Sequence, residues 1–263
     1  MPTLEARGVE IAWSERGEGP AVLLVHETAA NAAVWNPVVE AIDPRARPIT
    51  YDRRGWGEST APQGYRRTTV EEQSEDAVAL LESTGAAPAI VAGAGIGAMI
   101  GLDLLLRRSD LIAATLLVEP PVLQLLPTAT EALSDDRRRM EAAAGAGEDV
   151  IDLYLTGGLP ALGPGVSRLP EEQLTAARMR PASVIAEMGI AAGWRAPLPR
   201  LAEAERPSAI VTALSTPPLL RDASAALADH LAGTSVAEVD SGLEPPHVGA
   251  AAEVAALALE LRS

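Results

Sequence analysis

The alternation of short aliphatic runs with longer amphipathic stretches is the feature that most constrains the fold of this chain. Strand patterns in the first half of the chain lie at residues 9–14, 21–26, 48–52, 89–92 and 113–119. Helical patterns separate most of them, at residues 35–42, 69–81 and 96–107. Strands that alternate with helices predict an α/β fold, in which helices cover both faces of a mostly parallel sheet.

This alternation stops between residues 122 and 200. That stretch carries helical patterns around residues 130–144, 149–155 and 170–188, Gly-Gly and Gly-Pro turns, and no convincing strand pattern. The alternation resumes with a strand at 209–214, a helix at 219–231, a strand at 235–239 and a helix at 250–261. The sequence therefore predicts a core of residues 1–121 and 201–263, into which a helical subdomain of residues 122–200 is inserted.

Composition excludes several classes of function. The 263 residues include 36 acids and 21 bases, and a net charge of −15 disfavours nucleic acid and anionic membrane surfaces as partners. The chain has no cysteine, so it can form neither disulfides nor thiolate sites. Its three histidines are not spaced with carboxylates in the manner of a metal site, so no metal is expected. The amino terminus lacks the pattern of a secretory signal, so a cytoplasmic location is expected. The most apolar span, residues 89–102, is too short to cross a membrane.

Residues 91–97, Val-Ala-Gly-Ala-Gly-Ile-Gly, join a predicted strand to a predicted helix through a glycine-spaced turn. This is the context of a nucleophile elbow, whose middle residue carries the nucleophile. Here the middle residue is Gly95, which has no side chain. The glycines also fit a loose dinucleotide fingerprint, but the strand is not the first of the sheet and no ribose-binding acid follows. We therefore expect no cofactor.

Several segments give the chain a resemblance to the α/β-hydrolase fold family over nearly its whole length. Residues 23–26 (LLVH), followed by Trp35, resemble the family's strand, oxyanion loop and first helix. Residues 52–59 (DRRGWGES) match the family's Asp-Arg-x-Gly-x-Gly-x-Ser loop, and residues 246–248 (PHV) resemble the loop that carries the catalytic histidine. The resemblance implies a capped α/β-hydrolase fold, with residues 122–200 as the cap.

Three departures from the family pattern bear on chemistry. Gly95 replaces the nucleophile, and Glu27 replaces the glycine of the His-Gly pair, where a carboxylate opposes anion stabilisation. No acid follows the strand at 209–214, so Glu119, one strand earlier, is the candidate that orients His247. The alternative is that Glu119 only hydrogen-bonds nearby backbone. Because an acyl-enzyme route needs a nucleophile and an oxyanion hole, serine-type ester hydrolysis is not expected.

Glu27 and His247 are the predicted catalytic pair. Burial raises the pKa of a carboxyl group and a nearby imidazolium lowers it, so such a pair can exchange protons near neutral pH. The alternative is that Glu27 is solvated or pairs with Arg53 or Arg54. By analogy with other hydrolase-like proteins, the expected reactions are cyclisation, elimination, isomerisation or epoxide opening on a polyketide-like substrate. The other two hypotheses are a ligand-binding protein that catalyses no reaction and an ester hydrolase inactivated at Gly95.

The expected partner is a small apolar molecule bound under the cap, and a homodimer is left open. The residues expected to contact this molecule are His26, Trp35, Gly95, Ile96, Tyr154, Met179, Met188 and Trp194. The resemblance also implies a structural role for His26 in the oxyanion loop. For the cap residues, the alternative is packing in the cap's own core.

Overall fold

The computed structural model describes residues 1–42, 45–195 and 197–261. At its centre lies an eight-stranded sheet with the order β1-β2-β4-β3-β5-β6-β7-β8. The strands are β1 Thr3–Ala6, β2 Val9–Glu15, β3 Ala21–Val25, β4 Arg47–Tyr51, β5 Ala89–Ala94, β6 Ile112–Val118, β7 Ser208–Ala213 and β8 Thr234–Val239. Only the β1–β2 and β2–β4 pairs are antiparallel. The predicted α/β class with a mostly parallel sheet is confirmed.

Burial along the strands follows their position in the sheet. Every residue of β3 and of β5 is buried, because helices cover both faces at the centre of a parallel sheet. Their Val, Leu, Ile and Ala side chains therefore read as continuous apolar runs. The edge strand β8 has no fully buried residue. The short antiparallel strand β1 was not predicted, since its four residues carry one buried side chain.

Thirteen α-helices are formed by the described residues. They are α1 Asn36–Ile42, α2 Val70–Ser83, α3 Ile96–Arg107, α4 Ala129–Ala146, α5 Val150–Leu155, α6 Gly163–Val166, α7 Glu171–Arg178, α8 Pro181–Glu187, α9 Ile190–Gly193, α10 Leu198–Ala202, α11 Pro218–His230, α12 Pro246–Gly249 and α13 Ala251–Glu260. Thr69 caps α2 by accepting a hydrogen bond from the Glu72 N–H, as the sequence predicts. Helices α2 and α3 pack together on one face of the sheet, and α1 and α13 on the other.

Helices α4 to α10 all lie between β6 and β7. Residues 122–200, which we call the cap segment, contain these helices except for the end of α10, which reaches Ala202. In the described part of this segment there is no strand. The single helix expected at 170–188 is two helices, α7 and α8. The break occurs because Pro181 disfavours helical backbone at Arg180, whose φ and ψ are −126° and 55°.

No helix of the described chain is long and apolar enough to cross a membrane.

Candidate active site

The turn between β5 and α3 keeps the geometry of an elbow without its side chain. Gly95 has φ 51° and ψ −118°, a left-handed conformation that L side chains rarely adopt. The neighbouring glycines permit close packing, since a Cβ on Gly97 would lie 2.1 Å from the Val25 carbonyl oxygen. Strand and helix therefore meet as a sharp elbow that presents only backbone at position 95.

Glu27 occupies the space beside this elbow. It lies two residues after β3, and a Cβ built on Gly95 would come within 2.9 Å of the Glu27 Cβ. The Glu27 Oε1 lies 3.2 Å from the His247 Nε2. Both residues are buried, at 8% and 0% exposure. The structure thus brings the two predicted catalytic residues together over Gly95, and their role in catalysis stays a prediction.

His247 is held by packing. It belongs to α12, and its ring lies against the Trp35 ring with centroids 4.5 Å apart and an interplanar angle of 37°. Within the described residues, neither ring nitrogen of His247 has a hydrogen-bond partner, and neither has the Glu27 Oε2, so the 3.2 Å approach of Nε2 to Oε1 is a close contact without hydrogen-bond geometry. Trp35 therefore supports the histidine from behind, and it does not line the cavity that we describe below. Its expected contact with substrate is corrected to a contact with His247.

Glu119 does not orient His247. Its carboxylate accepts hydrogen bonds from the Arg168 Nη1, at 2.6 and 2.8 Å, and from the Thr216 Oγ1 at 2.5 Å. Arg168 comes from the cap segment and also donates to the Glu244 carbonyl oxygen. A buried carboxylate pairs preferentially with a guanidinium that reaches it with two bonds. The expectation of an orienting acid at Glu119 is therefore wrong, and the alternative of backbone bonding is replaced by a link between core and cap segment.

His26 fixes the backbone of the loop that carries Glu27. Its Nδ1 donates to the Glu27 carbonyl oxygen (2.8 Å), and its Nε2 accepts from the Arg53 N–H (2.9 Å). Burial, and then the positive charge of Arg53, hold the pKa of His26 well below its usual value, so the ring is neutral. The structural role implied by the resemblance fits these contacts. His26 does not line the cavity, so its expected contact with substrate is corrected.

The arginines of the 52–59 loop are paired with carboxylates other than Glu27. The Arg53 Nη1 and Nη2 donate to Glu187 at 2.6 and 3.0 Å, and Arg54 donates to Asp76 with two bonds of 2.6 Å. Arg54 also pairs with Glu72. The alternative in which Glu27 forms a salt bridge with one of these arginines is therefore not realised.

Glu187 is a site residue that the sequence did not reveal. It ends α8 in the cap segment, is 2% exposed, and accepts further hydrogen bonds from Thr28, Trp56 and Gln73, at 2.8 to 2.9 Å. Burial disfavours its charge, but the charge and hydrogen bonds of Arg53 more than offset this and lower the pKa of Glu187. The available signal was the arginine pair of the 52–59 loop, since buried guanidinium groups require carboxylate partners.

A cavity of about 80 Å³ lies between the elbow and the cap segment. Glu27, Gly95, Ile96 and His247 line it from the core side. Tyr154 lines it from α5, and the Tyr154 hydroxyl lies beside Thr28. Met188, Glu119 and Glu187 are also part of the wall, together with apolar side chains such as Leu123, Val166 and Leu220.

Two residues expected in this cavity lie elsewhere. Met179 follows α7 at the proline break and is 81% exposed. Trp194 is buried in the core on the other side of α3, where its Nε1 lies 3.3 Å from the Asp103 Oδ1. Of the cap residues predicted to meet substrate, Tyr154 and Met188 line the cavity, and the expectations for Met179 and Trp194 are wrong.

Over the described chain, no group of three or more His, Asp and Glu side chains is arranged to hold a metal ion.

Comparison with known proteins gives partial matches among curated sequences. Over 127 residues the chain is 39% identical to the uncharacterized hydrolase YraK of Bacillus subtilis, an overlap that covers 47% of this chain and 46% of that protein. Over 162 residues it is 28% identical to 2-(acetamidomethylene)succinate hydrolase of Mesorhizobium japonicum, covering 60% and 55%. The chain thus spans about half the length of the curated relatives it matches.

Solved structures match over the whole chain. The enol-lactonase from Burkholderia xenovorans LB400 aligns with a TM-score of 0.71 at 22% identity and covers 99% of both chains. The epoxide hydrolase from Vigna radiata aligns with a TM-score of 0.74 at 22% identity, covering 98% of this chain and 96% of that one. At these identities the likeness shows the fold alone. The family described as α/β hydrolase fold matches residues 20–181, more than half of the sequence, and the chain therefore belongs to that family.

Proposed function

We propose that this chain is an α/β-hydrolase-fold enzyme that works without a serine nucleophile, through general acid/base chemistry by Glu27 assisted by His247. The observation that carries the proposal is the 3.2 Å approach of the Glu27 Oε1 to the His247 Nε2 above a glycine elbow. The reactions that this pair can perform are proton transfers in a cyclisation, elimination or isomerisation, or the addition of water to an epoxide. The substrate is a small, mainly apolar molecule.

The geometry divides the work between the two residues. The Glu27 side chain keeps 11% exposure and the His247 side chain none, so Glu27 is the better placed group to meet a substrate proton. A small rotation of the ring or the carboxylate would align a hydrogen on the His247 Nε2 with Oε1, 3.2 Å away, which leaves the second carboxylate oxygen as the base. Once protonated, the same carboxyl group can return the proton to another atom of the substrate. Positioned acid/base groups contribute roughly 10²- to 10⁴-fold in rate.

A serine-type mechanism is disfavoured by the same contacts. Position 95 offers no hydroxyl, and the negative charge of the Glu27 carboxylate beside the elbow opposes a developing oxyanion. The acyl-enzyme route therefore lacks its nucleophile and meets an unfavourable charge at the same place.

A second candidate, ligand binding without chemistry, is favoured by one observation. The His247 Nδ1 has no acceptor among the described residues, whereas a catalytic histidine in a triad is oriented by a carboxylate at that atom. Under this reading the Glu27–His247 pair is only part of the wall of a binding cavity.

Turnover and hydrogen exchange distinguish the two candidates. Purified protein is incubated in D₂O with small epoxides, enol lactones and β-hydroxy ketones, and products and deuterium uptake are followed by NMR and mass spectrometry. We expect turnover of at least one class, and a loss of about tenfold or more in Glu27→Gln and in His247→Gln, the low side of acid/base contributions. Glu131→Gln, on the exposed face of α4, is the matched control. Binding without product or exchange, or equal rates in all variants, would reject the enzyme in favour of the binding protein.

A further inference from the structure

We propose that the cavity accepts small neutral or cationic molecules that carry an N–H or O–H donor, and that it rejects carboxylates and phosphates. This inference rests on the proposed function only in assigning Glu27 as the group that meets the ligand. It concerns the chemical class of the ligand, and binding of each class can be measured without turnover.

The charge of the cavity wall is the first argument. Three carboxylates line the cavity, those of Glu27, Glu119 and Glu187. No arginine is among its described lining residues, and the chain has no lysine. Glu119 is paired with Arg168, and Glu187 with Arg53. The charge that an anion would meet uncompensated is therefore that of Glu27, whose repulsion is stronger in a buried site than in water.

The arginines behind the cavity wall already form ion pairs and hydrogen bonds within the protein. Arg168 uses its Nη1 on both oxygens of Glu119 and its Nη2 on Ser215 and on the Glu244 carbonyl. Arg53 uses its guanidinium on Glu187, on Gln73 and on the His26 carbonyl. An anionic ligand would have to break a buried ion pair to recruit either group, and this carries a large penalty.

The third argument is the available acceptor. The Glu27 Oε2 is buried and has no hydrogen-bond partner within the described chain, although buried polar atoms almost always have one. A donor on the ligand satisfies this oxygen. An ionised carboxylate has no donor, and a hydrogen phosphate could donate only by bringing its negative charge beside Glu27. The positive charge of a protonated His247 would already be matched by Glu27, 3.2 Å away. The structure thus favours a donor over an anion at the catalytic end of the cavity.

The size of the cavity sets the scale of the ligand. Its volume of about 80 Å³ holds roughly five to eight water molecules at 10–15 Å³ each. Small aromatic or aliphatic amines and alcohols are of this size. The apolar part of the wall, with residues such as Val166 and Leu220, suits their hydrocarbon portion.

Three probes of one shape test the inference: benzylamine, benzyl alcohol and benzoate, titrated by calorimetry and ligand-observed NMR at pH 7.5. In the wild-type protein we expect benzylamine and benzyl alcohol to bind, and benzoate to bind roughly 10- to 100-fold more weakly, the range given by a hydrogen bond to a charged group. Glu27→Gln removes the charge and supplies an amide donor, so it should lose most of the preference for benzylamine over benzoate. Glu131→Gln should keep the wild-type order of affinities.

Benzoate binding to the wild-type protein as tightly as benzylamine would overturn the inference, as would an unchanged order of affinities in Glu27→Gln. The two proposals fail separately. Turnover of an anionic substrate would refute the ligand class and leave the acid/base function standing. Selective binding of benzylamine, with no turnover of any substrate, would support the ligand class and count against the enzyme.

Discussion

Replacing Glu187 by glutamine tests how much the buried Arg53–Glu187 ion pair contributes to holding the cap segment against the core. Glu187 is 2% exposed and Arg53 is 1% exposed, and they are joined by hydrogen bonds of 2.6 and 3.0 Å. Glutamine keeps the shape of the side chain and removes its charge. The Arg53 guanidinium then stays charged in a buried position without a counter-ion.

The expected cost follows from this burial. Removing one partner of a buried ion pair destabilises a protein by about 3–5 kcal/mol, because the other charge remains uncompensated. With an unfolding entropy of about 2.1 cal/mol/K per residue, a chain of this length should lose roughly 5–9 °C in melting temperature. Glutamine keeps one acceptor oxygen and cannot accept all five hydrogen bonds of Glu187. An amide NH2 in place of Oε2 would remove the acceptor for Thr28, which directly follows Glu27 in sequence, and would loosen the loop that carries the proposed base.

Glu72→Gln is the matched control. Glu72 pairs with Arg54 but is 37% exposed, and Arg54 keeps its two hydrogen bonds to Asp76. Exposed pairs contribute about 0–1 kcal/mol, so this variant should melt close to the wild type. Differential scanning calorimetry of the three proteins at pH 7 measures both effects. A Glu187→Gln loss no larger than that of Glu72→Gln would refute the role of this ion pair.

Acid should remove the difference between wild type and Glu187→Gln. The pKa of Glu187 is lowered in the folded protein, so its contribution to stability is fully present above the unfolded pKa of about 4.3. That contribution is lost as the pH falls through the lower, folded pKa. The gap in melting temperature between the two proteins should therefore stay constant from pH 6 to about pH 5 and narrow as the pH falls below about 4.3, and a gap that stays constant down to pH 3 would contradict the assignment.

Three further variants test other parts of the site. Gly95→Ser should show no hydrolysis of p-nitrophenyl acetate above background, because its Cβ would lie 2.9 Å from the Glu27 Cβ at a φ of 51°, and appreciable turnover would demote Glu27 to a bystander. The pKa of His26 is lowered, so wild-type stability should fall by up to about 1.4 kcal/mol per pH unit below pH 6.5, where the unfolded state binds the extra proton. His26→Asn should lose this slope in urea titrations, and an unchanged slope would argue against a neutral buried ring. Arg168→Met should cost about 3 kcal/mol, because it leaves the buried Glu119 carboxylate without its guanidinium, and a melting curve like that of the wild type would show that this link to the cap segment is dispensable.

Sequence patterns predicted the parts of the fold that depend on local or repetitive signals. The apolar runs of β3 and β5 identify strands that are buried on both faces. The approach of Glu27 to His247 was implied by the resemblance to a known family, since β3 and β8, the strands that precede these residues, are separated by three other strands of the sheet. The resemblance to a known family supplied the loop order that connects these positions.

Contacts between the cap segment and the core could not be predicted in the same way. The partner of Arg53 is 134 positions away, on a short helix whose orientation depends on the whole insertion. A single glutamate at the end of a short, mostly apolar helical pattern looks like a solvated side chain at a helix end, as Glu187 does in the sequence. Met179 misled the prediction for a related reason, because the break before Pro181 ends α7 and turns this residue outward.

Gly95 and Glu27 constrain each other sterically. The elbow glycine keeps a φ of 51°, so any side chain at position 95 would be both strained and directed at the Glu27 Cβ. Conversely, the Glu27 carboxylate can approach the His247 Nε2 only because position 95 leaves that space empty. An ester hydrolase that had merely lost its serine would keep a small residue at position 27, since the oxyanion must approach backbone donors there. Under the proposed function the two residues therefore form one steric unit, in which the Glu27 carboxylate lies beside His247 and position 95 has no side chain to occupy that space.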